Sequence, residues 1–234
     1  DSYKSVLESF VHAGVENSAR VNIKWVKTDK ITNDKSAYRQ FKGVDGILIL
    51  PGFGSRGSEG KILSSKYARE NNIPFLGICL GMQCAIIDFA RHVCGLEGAN
   101  STEFNKRTKY PIIDLMESQK AIKIKGGTMR LGAYDCTIKT GTKTYSAYRS
   151  KKISERHRHR YEVNNRYKNR LEKAGMIISG VNDSLGVVET IEISDHPWFV
   201  AGQFHPELKS RVNKAHPLFR EFIKASKKYS KKRS

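Results

Sequence analysis

No stretch of the 234-residue chain approaches the ~20 consecutive apolar residues needed to span a bilayer, so nothing in it reads as a membrane segment. No secretory leader is visible either: the sequence opens Asp1-Ser-Tyr-Lys-Ser, with no basic stretch followed by an apolar one, and this says little for a sequence that does not begin with Met. Cysteine is scarce. The four present, Cys79, Cys84, Cys94 and Cys136, form no CxxC pair and no zinc spacing, which points to free thiols in a reducing, cytoplasmic compartment. Acidic residues are outnumbered, 23 against 42 Lys and Arg, giving a net charge of +19. That excess invites a nucleic-acid reading, because Lys and Arg bind phosphate backbones through counterion release. The basic residues are spread along the whole chain, however, and no helix-turn-helix, zinc finger or aromatic-rich RNA-binding motif accompanies them. No specific nucleic-acid partner is expected, only adhesion to polyanions at low salt. Internal repeats and a second domain are likewise absent. Residues 1–223 read as one domain, and residues 224–234 as a solvated basic tail.

What is present alternates between helix and strand patterns. Apolar residues at 3, 6, 7, 10 and 11 predict a first helix ending at Gly14. Val21–Val26 alternates like a strand, and the polar stretch that follows to Gln40 reads as a loop with room for a helical turn. Asp45–Leu50 is a continuous apolar strand running into Pro51-Gly-Phe-Gly-Ser-Arg-Gly57, and a helix follows from Ser58 to Asn72 with Ser58 as its cap. Phe75–Ile78 is a further strand, and Leu80–His92 a helix. Farther on, a hairpin is predicted around Gly132, a strand with one basic face over Arg156–Val163, and a helix over Arg166–Ala174. Three short strands follow, over Met176–Ser179, Gly186–Glu192 and Trp198–Ala201, before a closing helix over Pro217–Ala225. This order argues an α/β fold: an open, mostly parallel sheet flanked by helices, with an additional antiparallel portion.

In such sheets, sites gather at the carboxyl ends of the strands. Cys79 sits at one of those ends, between Gly77 and Gly81, where a strand turns sharply into a helix. That is the pattern of a nucleophile elbow with Cys in place of Ser, and the helix N-terminus is expected to lower the thiol's pKa. Cys84, on the elbow helix, reads as core. A thiolate nucleophile needs a base, and the base needs an orienting group. His205 and Glu207, held in a turn by Pro206 after the last strand, supply both.

Gly77-Ile-Cys-Leu-Gly-Met-Gln83 together with His205-Pro-Glu207 resembles the class I glutamine amidotransferases, the triad-type glutaminases. Ala99-Asn-Ser-Thr-Glu-Phe104, Gly126-Gly-Thr-Met-Arg-Leu-Gly132 and Glu155-Arg-His-Arg-His-Arg-Tyr-Glu-Val-Asn164 narrow the resemblance to the glutaminase domains of the CTP synthase family. The resemblance implies that Cys79 attacks the carboxamide of L-glutamine. It implies that the amides of Gly52 and Leu80 form the oxyanion hole, and that His205, oriented by Glu207, moves the protons. Gly52, Leu80, Gly81, Met82, Gln83, Glu103 and Arg160 are implied as substrate-binding. Glu103 would hold the α-ammonium and Arg160 the α-carboxylate, while Arg156 and Arg158 are expected in structural salt bridges. Ammonia would pass to an N-terminal synthetase domain of the same polypeptide, for amination of UTP to CTP. No cofactor is implied here, since the family's ATP and magnesium belong to that other domain and GTP acts as an activator. No phosphate-binding P-loop occurs in this chain.

Three departures stand out. The loop reads Leu50-Pro51-Gly52-Phe53-Gly54 where the family usually has Pro-Gly-Gly-Phe-Gly, and Pro51 carries no N–H. Leu208 replaces a usual Phe. The family also places a strand ahead of the Asp1-Ser-Tyr-Lys-Ser helix, with which the given sequence opens; were that strand lacking, its sheet neighbours would be left with an unpaired edge. Two rivals remain: a triad glutaminase serving another synthetase, and a catalytically silent docking or regulatory module on the same fold.

Overall fold

A computed structural model describes residues 3–115 and 129–233. The segment between Leu115 and Gly126 lies almost wholly outside the described residues, as does the start of the Gly126–Gly132 stretch. In chain order the helices are α1 (Lys4–Glu16), α2 (Asp34–Phe41), α3 (Ser58–Glu70), α4 (Leu80–His92), α5 (Lys143–Tyr148), α6 (Lys168–Lys173) and α7 (Pro217–Arg233). The strands are β1 (Ile47–Ile49), β2 (Phe75–Ile78), β3 (Asn100–Ser101), β4 (Pro111–Asp114), β5 (Arg130–Ile138), β6 (Lys152–His159), β7 (Glu162–Val163), β8 (Met176–Asn182), β9 (Val187–Ile193) and β10 (Phe199–Gly202).

A seven-stranded sheet in the order β1-β2-β10-β9-β8-β5-β6 forms the centre, and a small sheet β3-β4-β7 lies beside it. The chain is therefore α/β with a mixed sheet. β1, β2 and β10 run parallel, and the expected antiparallel portion continues from β10 through β9, β8, β5 and β6. β2 is buried along its whole length between layers of helix, which is why it reads as an unbroken apolar run. The stacked rings of Phe75 and Phe199, 4.2 Å between centroids, pin β2 to β10 at the start of their shared register.

Several sequence expectations give way to tertiary context. α1 continues past Gly14 to Glu16, because Gly14 sits where a Cβ would meet the Ala19 carbonyl oxygen at 2.7 Å; it is needed for close approach rather than as a cap. Val21–Val26 joins no sheet: alternation marks a strand only where a partner accepts its hydrogen bonds, and this segment has none among the described residues. It lines, together with the edge strand β1, a groove of about 950 Å3. The polar stretch before Gln40 contains α2, which an Asn33–Ser36 capping box starts. α3 is capped by Gly57 in a left-handed conformation, with Ser58 inside the helix. No hairpin turns at Gly132, which adopts φ 94° inside the continuous β5, opposite His157. Residues 224–233 continue α7 as helix, and Arg233 ties its end to Asp45 and the Gly43 carbonyl.

Candidate active site

The turn at Cys79 is tight enough to dictate its neighbours. Cys79 adopts φ 53° and ψ −103°, a conformation unfavourable for a residue with a side chain. Its N–H donates to the Gly202 carbonyl at 2.8 Å, and its own carbonyl accepts from Met82 at 3.0 Å and Gln83 at 3.2 Å. These bonds hold the strain in place. A Cβ on Gly77 would lie 2.9 Å from the Gly81 backbone, and one on Gly81 would lie 2.4 Å from the Ile49 carbonyl oxygen. Only glycine fits on either side of the cysteine.

β2 and β10 are adjacent and parallel, with Gly202 opposite Ile78, so the chain leaves both at the same sheet edge. Cys79 follows one strand and His205 the other. His205 Nδ1 lies 2.7 Å from Glu207 Oε1, with both side chains buried. The carboxylate accepts the Nδ1 proton and leaves the Nε2 lone pair as the basic site. That Nε2 has no hydrogen-bond partner among the described residues, and Cys79 makes no hydrogen bond to it there. The His205 N–H donates to the Arg156 carbonyl at 2.8 Å, which anchors the turn to β6. Leu208, 40 % exposed, fills no core position, so the departure there leaves the turn intact.

A cavity of about 240 Å3 opens onto Cys79. Of the implied substrate-binding residues, Gly52, Gln83, Glu103 and Arg160 line it. Leu80, Gly81 and Met82 are buried beneath and do not line it. Glu103 Oε1 accepts from the Gly54 N–H at 2.7 Å, drawing the glycine-rich loop over the cavity. Gly52 lies against the elbow, where a Cβ on it would sit 3.4 Å from Leu80 Cδ2. Pro51 removes one N–H from this loop, whereas the Gly52 N–H is engaged by no group among the described residues. The larger groove beside β1 is lined by none of the candidate residues.

The expected lowering of the Cys79 pKa is not what this environment produces. Burial, which disfavours the thiolate, pushes the thiol up to about 12, and the carboxylates of Glu207, Glu103 and Glu162 push the same way. A hydrogen bond from the Leu80 N–H opposes them, but one helix-end dipole does not outweigh full desolvation. Cys79 rests as the neutral thiol. Cys84, core as expected, is likewise held up by burial to about 12.

The basic strand is two-faced. Arg156 and Arg158 point outward and form no ion pairs among the described residues, contrary to expectation; Arg158 instead stands 6.0 Å from the exposed Phe53 ring. His157 and His159 point inward, with His157 Nδ1 2.9 Å from His159 Nε2. On the neighbouring β5, the buried Arg130 reaches Glu162 at 3.1 Å and Glu189 at 2.7 Å. None of these partners, nor Gln203 beside Cys79, follows from a local motif. Only the strict alternation of 156–159 signals that the two histidines share a buried face.

A cysteine elbow on a parallel strand, with a His–Glu pair after the neighbouring one, is an arrangement suited to nucleophilic acyl transfer. The model of the glutamine amidotransferase class-I family matches residues 1–225, and the chain belongs to that family. It is 58% identical over 232 residues to a CTP synthase from Chlorobium phaeobacteroides (strain DSM 266 / SMG 266 / 2430), covering 99% of this chain and 41% of that protein. It is 56% identical over 232 residues to a CTP synthase from Christiangramia forsetii (strain DSM 17595 / CGMCC 1.15422 / KT0803), covering 99% of this chain and 42% of that one. The chain thus spans about two fifths of the curated relatives it matches. Among solved structures, the glutaminase domain of Trypanosoma brucei CTPS with bound acivicin superimposes with a TM-score of 0.92 at 38% identity, over 97% of this chain and 89% of that one. These likenesses place the chain with the glutaminase domains of CTP synthases. No helix among the described residues is long and apolar enough to cross a membrane.

Proposed function

We propose that this chain hydrolyses L-glutamine to glutamate and ammonia through a Cys79–His205–Glu207 triad. The observation that carries the reading is the cavity itself: a cysteine at one wall and side chains of opposite charge, Glu103 and Arg160, at others. A free amino acid presents the complementary pair, an ammonium and a carboxylate, on one carbon. His205 Nε2 takes the thiol proton as Cys79 Sγ bonds to the amide carbon, because a thiol held up by burial gives up its proton together with the attack rather than before it. The N–H groups of Gly52 and Leu80 receive the oxyanion. The C–N bond then breaks, His205 returns the proton to the departing ammonia, and a glutamyl thioester remains. Water, deprotonated by the same imidazole, cleaves the thioester and releases glutamate. Pro51 spares this arrangement because the donor assigned to the loop is Gly52.

No cofactor takes part in these steps. By analogy with its longer relatives, the ammonia serves the amination of UTP to CTP in a synthetase domain of the same polypeptide, where ATP and magnesium act and with GTP as activator; a cytoplasmic setting fits that chemistry. The experiment is ammonia release from glutamine, measured on the full polypeptide with its nucleotides. Cys79→Ala should abolish it, and Arg160→Met and Glu103→Gln should raise KM more than they lower kcat. Full activity in Cys79→Ala would overturn the triad, and unaltered KM in both binding variants would overturn the subsite assignment.

A further inference from the structure

Gln203 is fully buried two residues before His205, and the triad leaves it without a task. Its main chain is fixed, since the Gln203 N–H donates to the Glu189 carbonyl at 2.8 Å. The direction of its side-chain amide is fixed as well, by a chain of donors and acceptors. The Tyr161 carbonyl can only accept, so the Gln83 atom 3.1 Å away is its Nε2. That same nitrogen lies 3.2 Å from the Gln203 amide, which must therefore present Oε1 to it. Gln203 Nε2 is left facing Cys79 Sγ, at 3.7 Å. An N–H aimed at sulfur favours the thiolate over the thiol, because the charged form is the stronger acceptor.

We infer that Gln203 is a catalytic residue whose side-chain N–H supports the Cys79 sulfur while it carries negative charge. This rests on the glutaminase reading above, and it fills a gap in it. The carboxylates of Glu207, in the turn after β10, and Glu103, between β3 and β4, act on the sulfur electrostatically and disfavour the thiolate, on top of its burial. The Leu80 N–H touches the sulfur in the free molecule, yet the mechanism requires it at the oxyanion. Gln203 is the donor with no second duty. It can stay on the sulfur from proton transfer to thioester, and again when the thioester breaks and the thiolate leaves. Gln83 acts as a positioning residue here: its bond to Tyr161 determines which end of Gln203 meets the cysteine.

The test reads the sulfur directly and needs no glutamine. The rate of Cys79 alkylation by iodoacetamide, followed by peptide mass on the full chain, gives a pH profile for the wild type and for Gln203→Met, which keeps length and volume but removes the N–H. The profile should move to higher pH by a unit or more, so that alkylation near neutrality slows about ten-fold. Gln203→Glu, which replaces the donor by an acceptor, should slow it further, and Gln83→Leu should shift the profile the same way by less. Overlapping wild-type and Gln203→Met profiles, with matching urea midpoints, would overturn the inference. Should Gln203→Met fail to fold, an unshifted profile in Gln83→Leu would do so instead. Ammonia release separates the two readings: a Gln203→Met chain that hydrolyses glutamine at the wild-type rate with an unshifted profile sinks the Gln203 role and leaves the glutaminase standing. A native chain that never hydrolyses glutamine sinks the glutaminase, while the alkylation profiles still report on Gln203.

Discussion

At the scale of single residues, the proposed reaction starts from a buried thiol that must lose its proton in the company of carboxylates. The solution is division of labour. Glu207 accepts the Nδ1 proton of His205 and thereby selects the tautomer whose Nε2 can take a proton. Glu207→Gln keeps the shape but can turn an N–H toward Nδ1, which then must accept and carries its proton on the wrong nitrogen. Glutamine hydrolysis should fall about a hundred-fold or more, with KM nearly unchanged. Steady-state ammonia release decides it; a loss of less than about three-fold would mean that Glu207 only packs the turn. Glu103 has two tasks in one carboxylate, holding the Gly54 N–H with Oε1 and forming the negative wall of the cavity. In the proposed reaction, the hold on the substrate's ammonium and the hold on the glycine-rich loop would share this one residue.

At the scale of elements, the elbow depends on backbones approaching more closely than side chains allow. Gly81→Ala drives a Cβ to 2.4 Å from the Ile49 carbonyl oxygen, and a strand backbone cannot yield as a flexible side chain would. The expected cost is about 1–3 kcal/mol, read from the urea midpoint; a midpoint equal to wild type would show that β1 can retreat from the elbow. Such local demands are what a sequence makes legible. Gly77, Cys79, Gly81 and the His205–Glu207 turn each state their conformation within a few residues, and β2 and β10 announce burial by unbroken apolar runs. Val21–Val26 and Gly132 mislead because their fate depends on partners distant in sequence: the first alternates but has no strand to pair with, and the second turns nothing because β6 holds β5 straight through it. The ion pairs of Arg130 were beyond reach for the same reason. Their carboxylates arrive from β7 and β9, and the arginine run 156–160 that draws the eye spends two of its members on solvent.

At the scale of the whole molecule, charge acts in opposite ways inside and out. Outside, the net charge of +19 should give polyanion binding that collapses with salt and shows no sequence preference. Inside, the Arg130 cluster couples stability to pH on both flanks. Burial raises Glu162 from 4.5 to about 8, so the folded chain keeps a proton that the unfolded chain releases, and stability falls as pH rises through that interval. Burial and the Arg130 charge lower His157 from 6.5 to about 2 and His159 to about 3. The unfolded chain then binds the extra protons, and stability falls as pH drops below 6.5. Thermal midpoints against pH should peak at about 6.5, where the protons bound by the two unfolded histidines balance the one kept by folded Glu162. Glu162→Gln should flatten the alkaline flank and spare the acid one; an unchanged alkaline slope would remove Glu162 from the account. All of this supports one claim, that Cys79 is the nucleophile of a glutamine-hydrolysing site. The most direct measurement treats the folded chain with acivicin, the compound bound in the Trypanosoma brucei domain, and weighs the product. One equivalent should attach at Cys79, glutamine should slow the attachment, and Cys79→Ala should remain unlabelled. A folded chain that takes up no label at Cys79, or takes it up equally on Cys84, Cys94 or Cys136, would contradict the claim.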